Sequence, residues 1–328
     1  MRAVMTRLHP QLRFLPGGAW LLAVLAALLA AGPAGAAEYL LPANGDNVIG
    51  RNSTAIAARE DTLFDVARRH GVGYEEILAA NPGVDPWLPG DGTEILIPGR
   101  LILPDAPRTG IVVNLPEHRL YYYPRAKKGE APVVRTYPIS VGKMDWKTPI
   151  GTTHIASKQA MPSWYPPASV LKEHEERGDP LPKVVPPGPD NPLGEYAMRL
   201  AIPGGAYLIH GTNKPAGVGM QVTHGCIRLY PEDIAELFPL VPVKTQVNLV
   251  DQTNKVGWQR GTLYVERHAP LEGTDNPADT DPAVMDKLIS TAIAGHSVEV
   301  DWAGARRLFE QATGVPVPLS TPVRAALR

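Results

Sequence analysis

A chain that leaves the cytoplasm with a single cysteine must hold itself together without disulfides, and Cys226 is the one cysteine in these 328 residues. An exported protein stapled by sulfur carries an even number of cysteines, so a lone thiol is buried and inert, paired to another molecule, or reactive. Stability must then come from apolar cores, and 44% hydrophobic against 20% charged residues suffices for one or two of them. Export is expected from residues 1–36, which read as a Sec-type signal peptide. Arg2, Arg7 and Arg13 stand there without an acid, an apolar run extends from Trp20 to Ala31, and Ala34-Gly35-Ala36 forms an A-x-A-like cleavage site. The run is shorter than the roughly 20 residues a spanning helix needs. No cysteine stands at the cleavage site to take a lipid.

The expected mature chain carries 29 basic against 33 acidic residues. That balance, near −4 overall, excludes nucleic acid and anionic lipid as partners, because both need clustered Lys and Arg.

Residues 52–98 form a small unit. Ala55-Ile56-Ala57-Ala58 is a short strand, and Thr62-Leu63-Phe64-Asp65 opens a helix as a capping box. Leu63, Val66, Ala67 and His70 follow at i, i+3, i+4 and i+7, with Arg68 and Arg69 outward. A second helix from Tyr74 to Ala80 stops at Asn81-Pro82-Gly83, and Thr93 to Pro98 closes the unit as a strand able to pair with the first. From Leu101 the character turns to β: Ile111 to Leu115 and Arg119 to Tyr123 suit a hairpin, with further strands at Val133 to Val141, Thr152 to Ala156, Ala206 to His210 and Thr245 to Val250. Residues 110–251 are therefore expected to be a β-sandwich or barrel. Residues 157–195 interrupt it with a Pro-rich stretch carrying Trp164 and Tyr165, too long for an ordinary loop and expected to act as a lid, with a helical turn or two in Ala168 to Arg177. Residues 252–328 are expected to be a short helical appendage, with helices at Pro282 to Ala294 and Ala303 to Ala312.

The chemistry concentrates in His210-Gly211-Thr212 and Thr223-His224-Gly225-Cys226-Ile227-Arg228, one thiol and two imidazoles within seventeen residues. A thiol is mostly protonated at neutral pH, so a nucleophilic cysteine needs a base or cation beside it. His210 ends a predicted strand and can meet Cys226 across the glycine-rich loop; His224 stands two residues away. Spacing alone leaves the base open between them. Gly225 allows close backbone approach, and amides near Cys226 are candidates to stabilise an oxyanion. A zinc site of His210, His224 and Cys226 lacks a suitably spaced partner, and no metal or cofactor is expected.

On these residues the chain resembles the YkuD-type L,D-transpeptidases and, among them, the ErfK/YbiS/YcfS/YnhG group. The likeness extends through Ala80-Asn81-Pro82-Gly83-Val84-Asp85, Leu120-Tyr121-Tyr122-Tyr123-Pro124, Lys147-Thr148-Pro149-Ile150-Gly151 and Gly188-Pro189-Asp190-Asn191-Pro192. The 52–98 unit resembles a LysM module, the βααβ glycan-binding repeat of cell-wall enzymes, through Asp61-Thr62-Leu63, Ala80-Asn81-Pro82 and Leu96-Ile97-Pro98. The resemblance implies a periplasmic enzyme in which Cys226 is the nucleophile and His210 its proton acceptor and donor. Thr223, His224, Gly225, Arg228, Gly211 and Thr212 would shape the substrate and oxyanion pocket, Arg228 as a holder of a substrate carboxylate. The implied substrates are peptidoglycan tetrapeptide stems. The acceptor is a lysine of an outer-membrane lipoprotein, or a second stem to give a 3-3 cross-link. Hydrolysis of the same thioester and a non-catalytic wall-binding scaffold are the competing readings.

Overall fold

A computed structural model describes residues 37–143, 147–203, 207–274, 276 and 279–322. The expected signal peptide lies outside the described residues. No helix among the described residues is long and apolar enough to cross a membrane.

The small N-terminal unit has the expected order of elements. The capping box forms: the Thr62 hydroxyl accepts from the Asp65 amide, and the Asp65 carboxylate accepts from the Thr62 amide, starting helix α1, Leu63–Arg69. Such a cap is worth about 1 kcal/mol. Leu63, Val66 and Ala67 pack with Val72, Ile77, Ile95 and Ile97 into a closed core beneath α2, Tyr74–Ala80. The first strand, Ser53–Ile56, begins two residues earlier than its apolar content suggests and pairs antiparallel with Glu94–Ile97. His70 does not extend the inward stripe. It is exposed at the C-cap of α1, where its amide satisfies carbonyls of the last turn.

The centre of the molecule is a nine-stranded mixed sheet among the described residues. From one edge it runs Ala37–Leu40, Val133–Pro138, Arg119–Tyr123, Gly110–Asn114, Gln246–Val250, Gly151–Ala160, Tyr196–Leu200, Leu208–His210, Ile227–Arg228. Two neighbours are parallel, Gly110–Asn114 with Gln246–Val250 and Leu208–His210 with Ile227–Arg228; the rest are antiparallel. The hairpin strands read as continuous apolar runs because both faces are covered. Ile111, Val113, Leu120 and Tyr122 enter one core, Val112, Tyr121 and Tyr123 the opposite one. The larger core is closed by α4, Pro231–Leu240, whose Ile234 and Leu237 are fully buried. Within residues 157–195 the strand continues to Ala160 and a helix, α3, spans Ala168–Glu176.

Residues 252–328 depart from the helical expectation. The two helices are present as α5, Pro282–Ala292, and α6, Trp302–Gln311. Beside them stand the hairpin Asn254–Gln259 with Thr262–Arg267 and the short strands Val298–Val300, Val317–Pro318 and Ser320–Pro322. Leu263, Val265, Met285, Ile289, Ala305, Leu308 and Leu319 form a core between them. The strand content was hidden because Lys255 and Glu266 are buried as an ion pair and Arg267 is buried by hydrogen bonds to the Phe309 and Asp279 carbonyls, which erases the alternation on which strand assignment depends.

The N-terminal unit is welded to the sheet. Glu76 caps α2 by accepting from the Gly73 amide, and the same carboxylate oxygen takes a guanidinium N–H of Arg119, with both side chains buried. Arg68, expected outward, instead pairs with Glu232 at the start of α4 (2.8 Å). Replacing Glu76 by Ala is expected to cost about 3–5 kcal/mol in a denaturant titration, because Arg119 is left buried and uncompensated. Glu76→Leu combined with Arg119→Met should recover most of that loss.

Candidate active site

The strand Leu208–His210 ends at the imidazole, and Ile227–Arg228 begins one residue after the thiol. Their parallel register sets Ile209 beside Ile227 and His210 beside Arg228. The Leu208 amide faces the Cys226 sulfur, so Cys226 lies level with Leu208, two residues behind His210 and just before the neighbouring strand. Both line a cavity of about 390 Å³.

The turn before Cys226 is held from two sides. The Thr223 hydroxyl donates to the Cys226 carbonyl (2.6 Å) and bridges the turn from within. Gly225 takes φ +91°, a left-handed conformation that disfavours any residue with a Cβ. Its carbonyl accepts from the hydroxyl of buried Thr148 (3.1 Å), which in turn accepts from the Gly142 amide. Thr148 was visible only as part of the Lys147–Gly151 segment.

Burial dominates the electrostatics. The His210 Nδ1 donates to the Gly211 carbonyl (2.6 Å), so its proton is fixed there and the lone pair lies on Nε2. Burial, reinforced by the Arg228 charge, pushes the imidazole down to about 3 despite the Gly211 and Leu193 carbonyls. Burial pushes the Cys226 thiol up, against the Leu208 amide and the Arg228 guanidinium. The resting pair is therefore a neutral thiol and a neutral imidazole. Arg228 is mostly buried and forms no ion pair among the described residues; it reaches the cavity with its Nε unsatisfied.

Of the residues singled out in the sequence, Cys226, His210, Thr223, His224 and Arg228 line the cavity together. Gly211, Thr212 and Gly225 are not among the residues that line it. Gly211 packs on Ile234, and the Thr212 hydroxyl accepts from the Lys214 amide. The structure adds Ser157 with Gln159 and Ala197 with Arg199, alternate residues of two adjacent strands. Their spacing by two is the signal a face assignment would use, but it needs the register first.

The Pro-rich segment roofs the cavity through Pro162, Trp164, Tyr165, Pro167, Val170 and Leu193. Trp164 and Val185 exchange backbone hydrogen bonds (2.8 and 2.9 Å). Fully buried Asn191 donates to the carbonyls of Pro162, Val185 and Pro186 while accepting from the Leu193 amide. The roof is thus a built arm. It is fastened below by Glu173 of α3, which accepts from His224 Nε2 (3.1 Å).

One further cluster has the composition of a metal site. Glu117, Glu266 and His268 present ligand atoms within 4.8 Å of one another. The Lys255 ammonium lies 2.7 Å from each carboxylate, so the charge a cation would supply is already there.

Residues 108–249 match YkuD, the L,D-transpeptidase catalytic domain, and residues 58–86 match the LysM domain. The chain belongs to the L,D-transpeptidase family. It is 39% identical over 298 residues to the probable L,D-transpeptidase YcfS of Escherichia coli, covering 89% of this chain and 91% of that one. Against the probable L,D-transpeptidase YbiS of the same organism the identity is 40% over 294 residues, covering 88% and 93%. The probable L,D-transpeptidase ErfK/SrfK of Salmonella typhimurium is 38% identical over 292 residues, covering 87% and 92%.

The buried imidazole carries a pH signature. A histidine free in the unfolded chain protonates near 6.5, whereas folded His210 stays neutral to about 3, so between those values the unfolded state binds the extra proton. Its contribution to stability is complete above pH 6.5 and is lost as pH falls through that window. His118, held down to about 4 by burial, acts in the same sense. Asp233, pushed up to about 8 by burial, acts in the opposite sense, so His210 is read from a difference: between pH 6.5 and 4 denaturant titrations of wild type and His210→Gln should diverge by up to about 1.4 kcal/mol per pH unit, the wild type losing more as pH falls.

Proposed function

We propose that this protein is an exported peptidoglycan L,D-transpeptidase that works through a thioester on Cys226, with His210 as the general base and acid. The observation that supports this is that both side chains line one roofed cavity, the imidazole at the end of one strand and the thiol immediately before the strand that runs parallel to it. The donor is a tetrapeptide stem of peptidoglycan. As sulfur attacks the carbonyl at the L-centre of the position-3 diamino acid, the thiol proton passes to Nε2 of His210. A neutral imidazole at that moment is what the burial ensures. D-Ala then leaves with that proton on its nitrogen, and the stem remains as a thioester. An amine attacks in turn, a C–N bond replaces the C–S bond, and the proton lost from nitrogen returns to sulfur.

The acceptor we favour is a lysine of an outer-membrane lipoprotein, with a second stem giving a 3-3 cross-link as the alternative. Arg228, a cavity cation without an ion pair among the described residues, is suited to a stem carboxylate. Thr223, Gly225 and their hydrogen bonds hold the turn from which amides reach the oxyanion. The LysM unit is read as the contact with wall glycan, and the signal-like N-terminus as the route to the periplasm. The arm favours transfer over hydrolysis, because amine must enter while water is kept out.

Mass spectrometry of the mature protein with disaccharide-tetrapeptide, with and without a lysine-terminated peptide, tests the reading. Loss of D-Ala with gain of the lysine peptide is the expected outcome; loss of D-Ala to water alone would make the protein an L,D-carboxypeptidase. Cys226→Ala should abolish the acyl-enzyme mass. His210→Ala should slow its formation by roughly 10²- to 10⁴-fold. Muropeptide binding with no turnover by the intact protein would leave only the scaffold.

A further inference from the structure

The arm is held together by its own hydrogen bonds, and its helix α3 reaches the floor of the cavity through Glu173. Val170 and Glu173 stand three residues apart on the same face of α3; Val170 is buried against the cavity and Glu173 reaches past its edge. One carboxylate oxygen of Glu173 accepts from His224 Nε2 at 3.1 Å. The other lies 3.5 Å from Lys143 and 3.1 Å from Arg177. Lys143 is tied to the floor by its own backbone, since its amide donates to the Thr223 carbonyl (2.9 Å). The short strands Val141–Gly142 and Gln221–Thr223 pair parallel at this point. Glu173 therefore links the arm to both chain segments that frame the turn carrying Cys226. The side chain is one-third exposed, so the contact can open and close on the surface.

We propose that Glu173 is a positioning residue that latches the arm to His224 and Lys143 and so decides whether amine or water resolves the acyl-enzyme. This deepens the reading above and rests on acylation of Cys226. In transfer, the amine nitrogen bonds to the thioester carbon, the C–S bond breaks, and the amine's proton returns to sulfur. In hydrolysis, water follows the same course and leaves a carboxylic acid. The two routes differ only in what reaches the carbonyl. A latched arm keeps bulk water from it while the amine-bearing chain enters at the mouth beside exposed Tyr165.

The test uses Glu173→Ala, Glu173→Gln and, as a control on the outward face of the same helix, Lys172→Ala. Each variant is incubated with disaccharide-tetrapeptide and a lysine-terminated peptide, and the ratio of hydrolysed to transferred product is read alongside the rate of acyl-enzyme formation. Hydrogen exchange of residues 162–185 is measured without substrate. Glu173→Ala is expected to raise the hydrolysis ratio about three- to tenfold, the combined weight of the two partly exposed pairs, to His224 and Lys143, that reach the floor. Glu173→Gln, which keeps an acceptor for His224 but drops the charge, should fall between, and Lys172→Ala should match wild type. Exchange in the arm should quicken in the same order.

An unchanged ratio in a folded Glu173→Ala protein overturns the proposal, as does a fall in acylation and transfer together at constant ratio, which is the mark of a merely structural role. Unaltered exchange in the arm overturns the latch by itself. If wild type forms no acyl-enzyme, the underlying reading fails and the partitioning claim with it, while the exchange order still decides whether Glu173 holds the arm.

Discussion

Two parallel strands side by side cannot be joined by a tight turn, and the pairing of Leu208–His210 with Ile227–Arg228 is such a case. Residues 211–226 must leave the end of one strand and return to the start of the next. Everything around the site serves that crossover. Its outermost point, Gly219, lies so close to α2 that a Cβ there would stand 2.2 Å from the Tyr74 nitrogen. The Tyr74 and Glu75 amides donate to the Val218 and Gly219 carbonyls. The LysM unit is thus one wall of the loop that leads to Cys226. Glu76–Arg119 and Arg68–Glu232 hold that wall in place, so a module whose expected partner is glycan also braces the segment that brings Cys226 back to His210.

The same burial that shapes the site sets its chemistry. An exposed cysteine and histidine could exchange a proton at rest, giving a standing thiolate that any oxidant or metal would find. Here the cavity disfavours both charged forms, and Arg228 favours the thiolate while opposing the imidazolium. In the proposed reaction, proton transfer would become worthwhile only when a carbonyl is present to receive the sulfur's charge. The arm strengthens this by covering the cavity with Trp164, Tyr165 and Val170.

What the sequence disclosed follows what is local. The capping box at Thr62, the stop at Asn81-Pro82, the hairpin across Pro116 to His118 and the helix beginning at Pro231 all rest on neighbours a few residues apart, and each stands where local rules put it. Cys226, His210, Thr223, His224 and Arg228 were legible because a motif places them within nineteen positions, and the fold brings all five to one cavity. Glu173 was not legible. It is one of several charges in a short helix, and its partner His224 lies 51 residues away. Asn191 is similar: a single amide whose importance lies in the carbonyls that fold back around it. Long-range pairing also hid the C-terminal strands, because their buried positions carry charges matched elsewhere in the chain.

Those matched charges explain why residues 252–328 are part of the structure's frame. Lys255 donates to the carbonyl of Ile102, on the strand Arg100–Ile102 that follows the LysM unit and pairs with Val48–Gly50, and sits between Glu117 in the catalytic hairpin turn and Glu266 on its own hairpin. Burial alone would raise the Glu117 carboxyl, but Lys255 holds it below its ordinary value, and the Tyr121 hydroxyl and Asn114 amide occupy its remaining acceptor sites. Glu266 accepts from the Ile102 amide as well. A hydrophobic joint would bind these surfaces in many registers. An ammonium shared by two carboxylates and a carbonyl satisfies all its partners in one register only, since any slip leaves a buried charge unpaired at a cost of several kcal/mol. The joint therefore fixes the C-terminal unit against the hairpin turn that also carries Arg119, the guanidinium to which the LysM helix is bound.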